Sequence, residues 1–245
     1  MPFVHEIRAV MEEWAPLDTA EHWDNVGLMV GDNFKDVKTV LCALDIDRPV
    51  WNHLAENDYD LIITHHPLIF RPITSLDVSD VMGRILKRLM KKSTTVLSYH
   101  TNLDKAEGGV NDMLIEAYDI DPKEGHVFEK GYGKWFELKQ VEPLSRFTEL
   151  FPAQVSGAIG VSDVQRVGFC AGSGKSLVQN CKDERIDLFI TGELGYHESI
   201  ECDFNGIKVL ELGHKESEVL VLAKIKERLQ ASFSNLDIKI MSSPF

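Results

Sequence analysis

The sequence predicts an α/β fold built from two related halves about a pseudo-twofold axis. Three observations carry that expectation. Short apolar runs alternate with amphipathic stretches. Several runs are apolar nearly throughout, as strands covered on both faces should be. One pattern also occurs twice: Asp60-Leu-Ile-Ile-Thr64 resembles Asp187-Leu-Phe-Ile-Thr191, and Cys42-Ala43 and Cys170-Ala171 stand at nearly matching places in the preceding strands. Each DL-x-IT run is followed by a helical stretch, another strand and a His-x-x-x-acid pair, His100 with Asp104 and His214 with Glu218.

The chain opens on an amphipathic helix, with Val4, Ile7, Val10, Met11 and Trp14 at helical spacing. Turn chemistry at Asp24, Asn25, Gly27, Gly31 and Asp32 flanks a strand at VGLMV. The remaining strand candidates are VKTVLCALD from Val37, DLIIT from Asp60, TTVLSY from Thr94, VQRVGFCAG from Val164, DLFIT from Asp187 and IKVLEL from Ile207. Helical patterns run from Val81 to Met90, Val110 to Tyr118 and Glu216 to Leu229. The Gly/Lys/Pro-containing stretch from Asp121 to Gly133 is the expected seam, giving a first half over 1–125 and a second over 126–245, with no middle insertion.

Composition bounds the function classes. A hydrophobic content of 44% and a charged content of 27% fit a globular protein with a core. No apolar run is long enough to span a bilayer, and the acid-bearing N-terminus lacks the apolar centre of a signal peptide. A cytoplasmic protein without a membrane partner is expected. Cys42, Cys170, Cys181 and Cys202 are scattered without a C-x-x-C pair, which speaks for reduced thiols over a disulfide framework. The net charge of −13 repels phosphate backbones and disfavours nucleic acid as a partner.

Polar residues cluster at predicted strand ends. Inside a strand His65 and His66 would face opposite ways, but Pro67 stops the ladder, so both imidazoles can converge on one cleft. Asp104 follows the strand at TTVLSY. His214 and Glu218, four apart, share one helical face. Three histidines and two carboxylates from separate strand ends suit Zn, Mn, Fe or Co better than Mg or Ca. Glu193, Gly195, His197 and Glu198 follow the second DL-x-IT strand and are placed to orient ligands or move protons. Ala171-Gly-Ser-Gly-Lys-Ser176 ends like a P-loop, but the glycine required five positions before Gly174 is Phe169, so that reading fails.

The segments WDNVGLMVGD, ITHHPLIF, YHTNLD, TGELGYHE and ELGHKESE are similar to those of the GTP cyclohydrolase 1 type 2 homologues, also called the NIF-three-like family. The likeness runs from about Trp23 to Glu218 in the same order. Gly131-Tyr-Gly-Lys-Trp-Phe-Glu137 matches the family's glycine turn only loosely. The resemblance implies a NIF-three-like fold with a dinuclear metal site between the halves, its two divalent ions held by His65, His66, Asp104, His214 and Glu218. It places His100 beside the cluster and His197 near it, as the residues to carry protons. It further implies a ring-shaped homohexamer and a metal-dependent hydrolase whose metal-activated water attacks a purine nucleotide or similar small substrate. The alternative is a non-enzymatic metal-binding or interaction factor.

Overall fold

The computed structural model describes residues 1–242. Two compact units are present, residues 1–106 with 221–242, and residues 107–220.

The first unit begins with α1 (Val4–Trp14), whose Val4, Ile7, Met11 and Trp14 are buried while Val10 is only half-buried. It continues through β1 (Gly27–Val30), β2 (Thr39–Ala43), α2 (Arg48–Glu56), β3 (Leu61–Thr64), α3 (Val81–Lys91), β4 (Thr95–Ser98) and α4 (Thr101–Lys105). The second unit contains α5 (Val110–Glu116), β5 (His126–Val127), β6 (Lys134–Pro143), α6 (Ser145–Thr148), β7 (Gln154–Gly157) and β8 (Asp163–Ser173). After these come α7 (Val178–Asp183), β9 (Leu188–Glu193), α8 (Tyr196–Phe204), β10 (Lys208–Glu211) and α9 (His214–Glu218). The chain then returns to the first unit with α10 (Val221–Ser232) and β11 (Asp237–Met241).

This partition differs from a seam at 125/126. β11 pairs parallel to β2 and α10 packs on both, so the last elements complete the first sheet. The Asp121–Gly133 stretch lies inside the second unit, where β5 pairs with β6. The single helix expected from Glu216 to Leu229 is two, α9 and α10.

The two sheets are built on the same plan of three neighbouring parallel strands. In the first, of order β1-β4-β3-β2-β11, strands β2, β3 and β4 are parallel and β1 runs antiparallel on β4. In the second, of order β5-β6-β8-β9-β10-β7, strands β8, β9 and β10 are parallel and β7 runs antiparallel on β10. β3 and β4 are buried throughout, and β2 and β9 at all but one end residue, which explains their apolar runs.

The repeated aspartate does the same work in each unit. Asp60 Oδ2 accepts from the backbone N–H of Lys38 (2.9 Å) and Thr39 (3.1 Å), tying the start of β3 to the start of β2. Asp187 Oδ2 accepts from Gln165 N (2.9 Å) and Arg166 N (2.8 Å), tying β9 to β8. Other parts of the repeat slip. Cys42 lies opposite Ile63 whereas Cys170 lies opposite Thr191, so the cysteines are not equivalent positions. His100 precedes the first residue of α4, but His214 is itself the first residue of α9, one position out of step. All four cysteines are buried, and burial pushes the Cys42 thiol up to about 12 and Cys202 up to about 11, so they serve as core residues.

Burial works to raise the Asp60 pKa, but the N–H groups of Lys38 and Thr39 and the Lys35 ammonium outweigh it and hold the carboxyl below its ordinary value. A lowered folded pKa stabilises above the unfolded carboxylate range, and that stability is lost as pH falls through the folded value. Asp60→Ala is therefore expected to cost about 2 kcal/mol at neutral pH and to flatten the acid limb of stability. Urea unfolding at pH 7 and pH 4 checks both.

Candidate metal site

In the first unit the site grows from the ends of β3 and β4. The backbone continues parallel pairing past β3, with His65 N donating to Ala43 O (3.3 Å) and His66 N to Leu44 O (2.9 Å), until Pro67 ends it. Thr64 Oγ1 reaches forward to His66 O (2.8 Å) and closes the strand end. The two neighbouring imidazoles then lie with ring centroids 4.9 Å apart. His100 joins them, its ring 5.2 Å from His65 and 5.6 Å from His66. One nitrogen from each of the three lies within 4.8 Å of the others.

Each of these rings is held by an oxygen at Nδ1. His65, fully buried, donates Nδ1–H to Tyr99 O (2.9 Å), which fixes its tautomer and turns Nε2 toward Asp104 Oδ1 at 3.6 Å. His66 Nδ1 meets Asp45 Oδ2 at 2.8 Å, and His100 Nδ1 meets Asp24 Oδ1 at 2.9 Å. The second Asp24 oxygen accepts from Thr101 N (3.1 Å) and Thr101 Oγ1 (2.6 Å). Burial works to raise the Asp24 pKa, but the hydrogen bonds from His100 and Thr101 outweigh it and bring the carboxyl down to about 2. Oxygen at Nδ1 is the arrangement that orients metal-ligating histidines.

In the second unit α9 carries His214 and Glu218 on one face, with His214 Nε2 3.2 Å from Glu218 Oε1. His214 Nδ1 stands 3.2 Å from Glu193 Oε1, so Glu193 treats His214 as Asp45 treats His66. Glu218 is only 4% exposed. Beneath it Ser217 Oγ accepts from Gly172 N (2.9 Å) and donates to His214 O (2.7 Å). The P-loop-like turn thus gives its Gly172 amide to Ser217, and Lys175 pairs with Glu198 at 3.4 Å.

His197 is exposed in the first turn of α8, its ring 5.4 Å from Tyr196, and belongs to no cluster of three potential ligands among the described residues. Asp24 and Asp45 were not legible as site residues. Asp24 reads as turn chemistry, and Asp45 ends an apolar run with no pattern around it. His126 is exposed, and His53 bonds Tyr59 at 2.8 Å, away from this group.

Parallel sheets with imidazoles and carboxylates at their strand ends define a class of α/β protein with groups suited to metal ions. The Duf34/NIF3 (NGG1p interacting factor 3) family model matches residues 2–245, and the chain belongs to that family. It is 30% identical to a Clostridium perfringens protein named GTP cyclohydrolase 1 type 2 homolog, covering 99% of this chain and 98% of that one. It is 35% identical to NIF3-like protein 1 of Drosophila melanogaster, covering 85% and 75%. Among solved structures, reduced HcgD from Methanocaldococcus jannaschii matches with a TM-score of 0.87 and 30% identity over 99% of this chain and 98% of its own. No helix among the described residues is long and apolar enough to cross a membrane.

Proposed function

We propose that the protein is a dinuclear metal-dependent hydrolase acting on a purine nucleotide or a similar small substrate. His65, His66, Asp104, His214 and Glu218 would hold two divalent ions per subunit. The carrying observation is that His65 and His66 are each oriented through Nδ1 by an oxygen at the end of β3, with His65 Nε2 3.6 Å from Asp104 Oδ1, while His214 Nε2 stands 3.2 Å from Glu218 Oε1. Imidazole mixed with carboxylate fits Zn, Fe, Mn or Co and not an all-oxygen ion such as Mg or Ca. When bound, such ions supply Lewis acidity and an activated water.

The chain's own residues do the rest. Asp24 steadies His100 at Nδ1, so that its Nε2 is the atom to accept and return a proton; His197 is a second proton carrier in this reading. Trp23 and Phe70, 50% and 47% exposed, form an edge-to-face pair at 5.9 Å, and Trp23 also meets His100 edge-on at 6.3 Å. An exposed aromatic ledge beside the imidazoles suits a planar heterocycle. The relatives' names support GTP as the first substrate to assay, with each of Zn, Mn, Fe and Co. Failure to form ring-opened product with every metal would overturn that substrate. Trp23→Ala is expected to raise KM for a purine nucleotide about tenfold or more while kcat changes less. Family membership also supports a cytoplasmic homohexameric ring, which light scattering on the purified protein tests.

His100→Gln separates the roles: metal content should stay at the wild-type level while turnover falls by about 100-fold or more. A His100→Gln protein depleted of metal would make His100 a ligand instead.

A further inference from the structure

Away from the strand ends, α3 presents two unlike faces. Gly83, Ile85, Leu86 and Leu89 are buried, while Arg84, Lys87, Arg88 and Lys91 occupy the opposite side at i, i+3, i+4 and i+7. With Trp51 of α2 and Lys92 these cations line an open cleft of about 810 Å³ within the first unit. Asp58, already paired to Lys92 at 2.7 Å, is the lone carboxylate in the lining. Five cations against one acid is a sharp local reversal in a chain of net charge −13.

The cleft is partly built. Arg88 lies with its guanidinium carbon 3.2 Å from the Trp51 ring centroid and donates to Trp51 O (2.6 Å). Lys92 donates to Leu54 O (2.7 Å) and Asn57 O (3.1 Å), and Arg84 donates to Ser79 O (2.6 Å). Lys87 and Lys91 make no ion pair among the described residues. Compensation of the helix dipole accounts for cations in the last turn, Arg88 and Lys91, but Arg84 stands near the positive end, where the dipole disfavours it.

We infer that this cleft binds a small ligand carrying two or more phosphate groups. Arg84 to Lys91 spans about 10 Å of helix, which calls for anionic charge spread over more than one group. The volume lies in the range of small-molecule sites. A long polyanion would have to continue onto a strongly acidic surface, so nucleic acid fits less well.

The test uses inorganic tripolyphosphate and the full chain stripped of metal with chelator, which removes any anion binding by bound ions and makes the outcome independent of the proposed hydrolase. Calorimetry should show saturable binding that weakens with salt. The exposed double substitution Lys87→Glu/Lys91→Glu should lower affinity by about tenfold or more, whereas Lys130→Glu/Lys224→Glu, with equal charge change elsewhere, should not. Unchanged circular dichroism shows that the variants are folded, and amide perturbations confined to α2 and α3 in an NMR titration provide a second reading. Absence of saturable binding, equal affinity in the two double variants, or tighter binding of a single-stranded oligonucleotide than of tripolyphosphate would each overturn the inference.

Discussion

His65→Ala is expected to cost the protein at least one of the two proposed metal ions. The ring is fully buried, its tautomer is set by Tyr99 O, and Nε2 faces Asp104. Changes to outer partners of a ligand histidine cost about 10–100-fold in metal affinity, so removal of the ligand itself should exceed about 100-fold. Elemental analysis after dialysis should find at most one ion per chain in place of the two proposed, with the proposed hydrolysis lost in parallel. Asp45→Ala, which removes only the oxygen behind His66, should fall in the smaller range. A His65→Ala protein that retains wild-type metal content would remove the basis of the proposed function.

Gly192→Ala is expected to destabilise the second unit strongly. Its Cβ would stand 2.4 Å from Gly172 O and 2.6 Å from Ser217 Oγ, so both the end of β8 and α9 must move. Backbone is the obstacle, and no rotamer relieves it. About 3 kcal/mol of stability should be lost, toward the upper end of overpacking costs. Because Ser217 also donates to His214 O, the same methyl displaces the residue next to Glu218, and metal affinity should fall along with the melting temperature. Gly172→Ala aims at the site more directly: at φ +63° its Cβ would lie 2.4 Å from Glu218 Oε1. Thermal unfolding of both variants with and without added metal separates the two effects.

The parallel core was legible because its strands are short, apolar on both faces and repeated. The DL-x-IT recurrence proved reliable at its aspartate, where a carboxylate clamps the start of the neighbouring strand in each unit. It misled at the cysteines, because a one-residue slip in a strand leaves composition alike while reversing the face a side chain takes. β6 was missed since most of its residues are half-buried or exposed and its charges mask the alternation. β11 was missed because nothing in Asp-Ile-Lys-Ile-Met announces a partner nearly the whole chain away. At the site, histidines after buried strands could be noticed from sequence, whereas Asp24 and Asp45 acquire their meaning only from the loops that carry them to His100 and His66. The basic face of α3 is ordinary helix composition until Trp51 of α2 packs beside it.

The pairing of β11 with β2 bears on how the protein is made. During translation the flank of β2 from Thr39 to Ala43 must wait for residues 107–220 to leave the ribosome before its neighbour arrives. Through that interval the nascent chain carries an open apolar strand edge, a template for any extended segment nearby, that the finished protein has closed. Dependence on chaperones should therefore concentrate in this delay and ease once the last strand is in place.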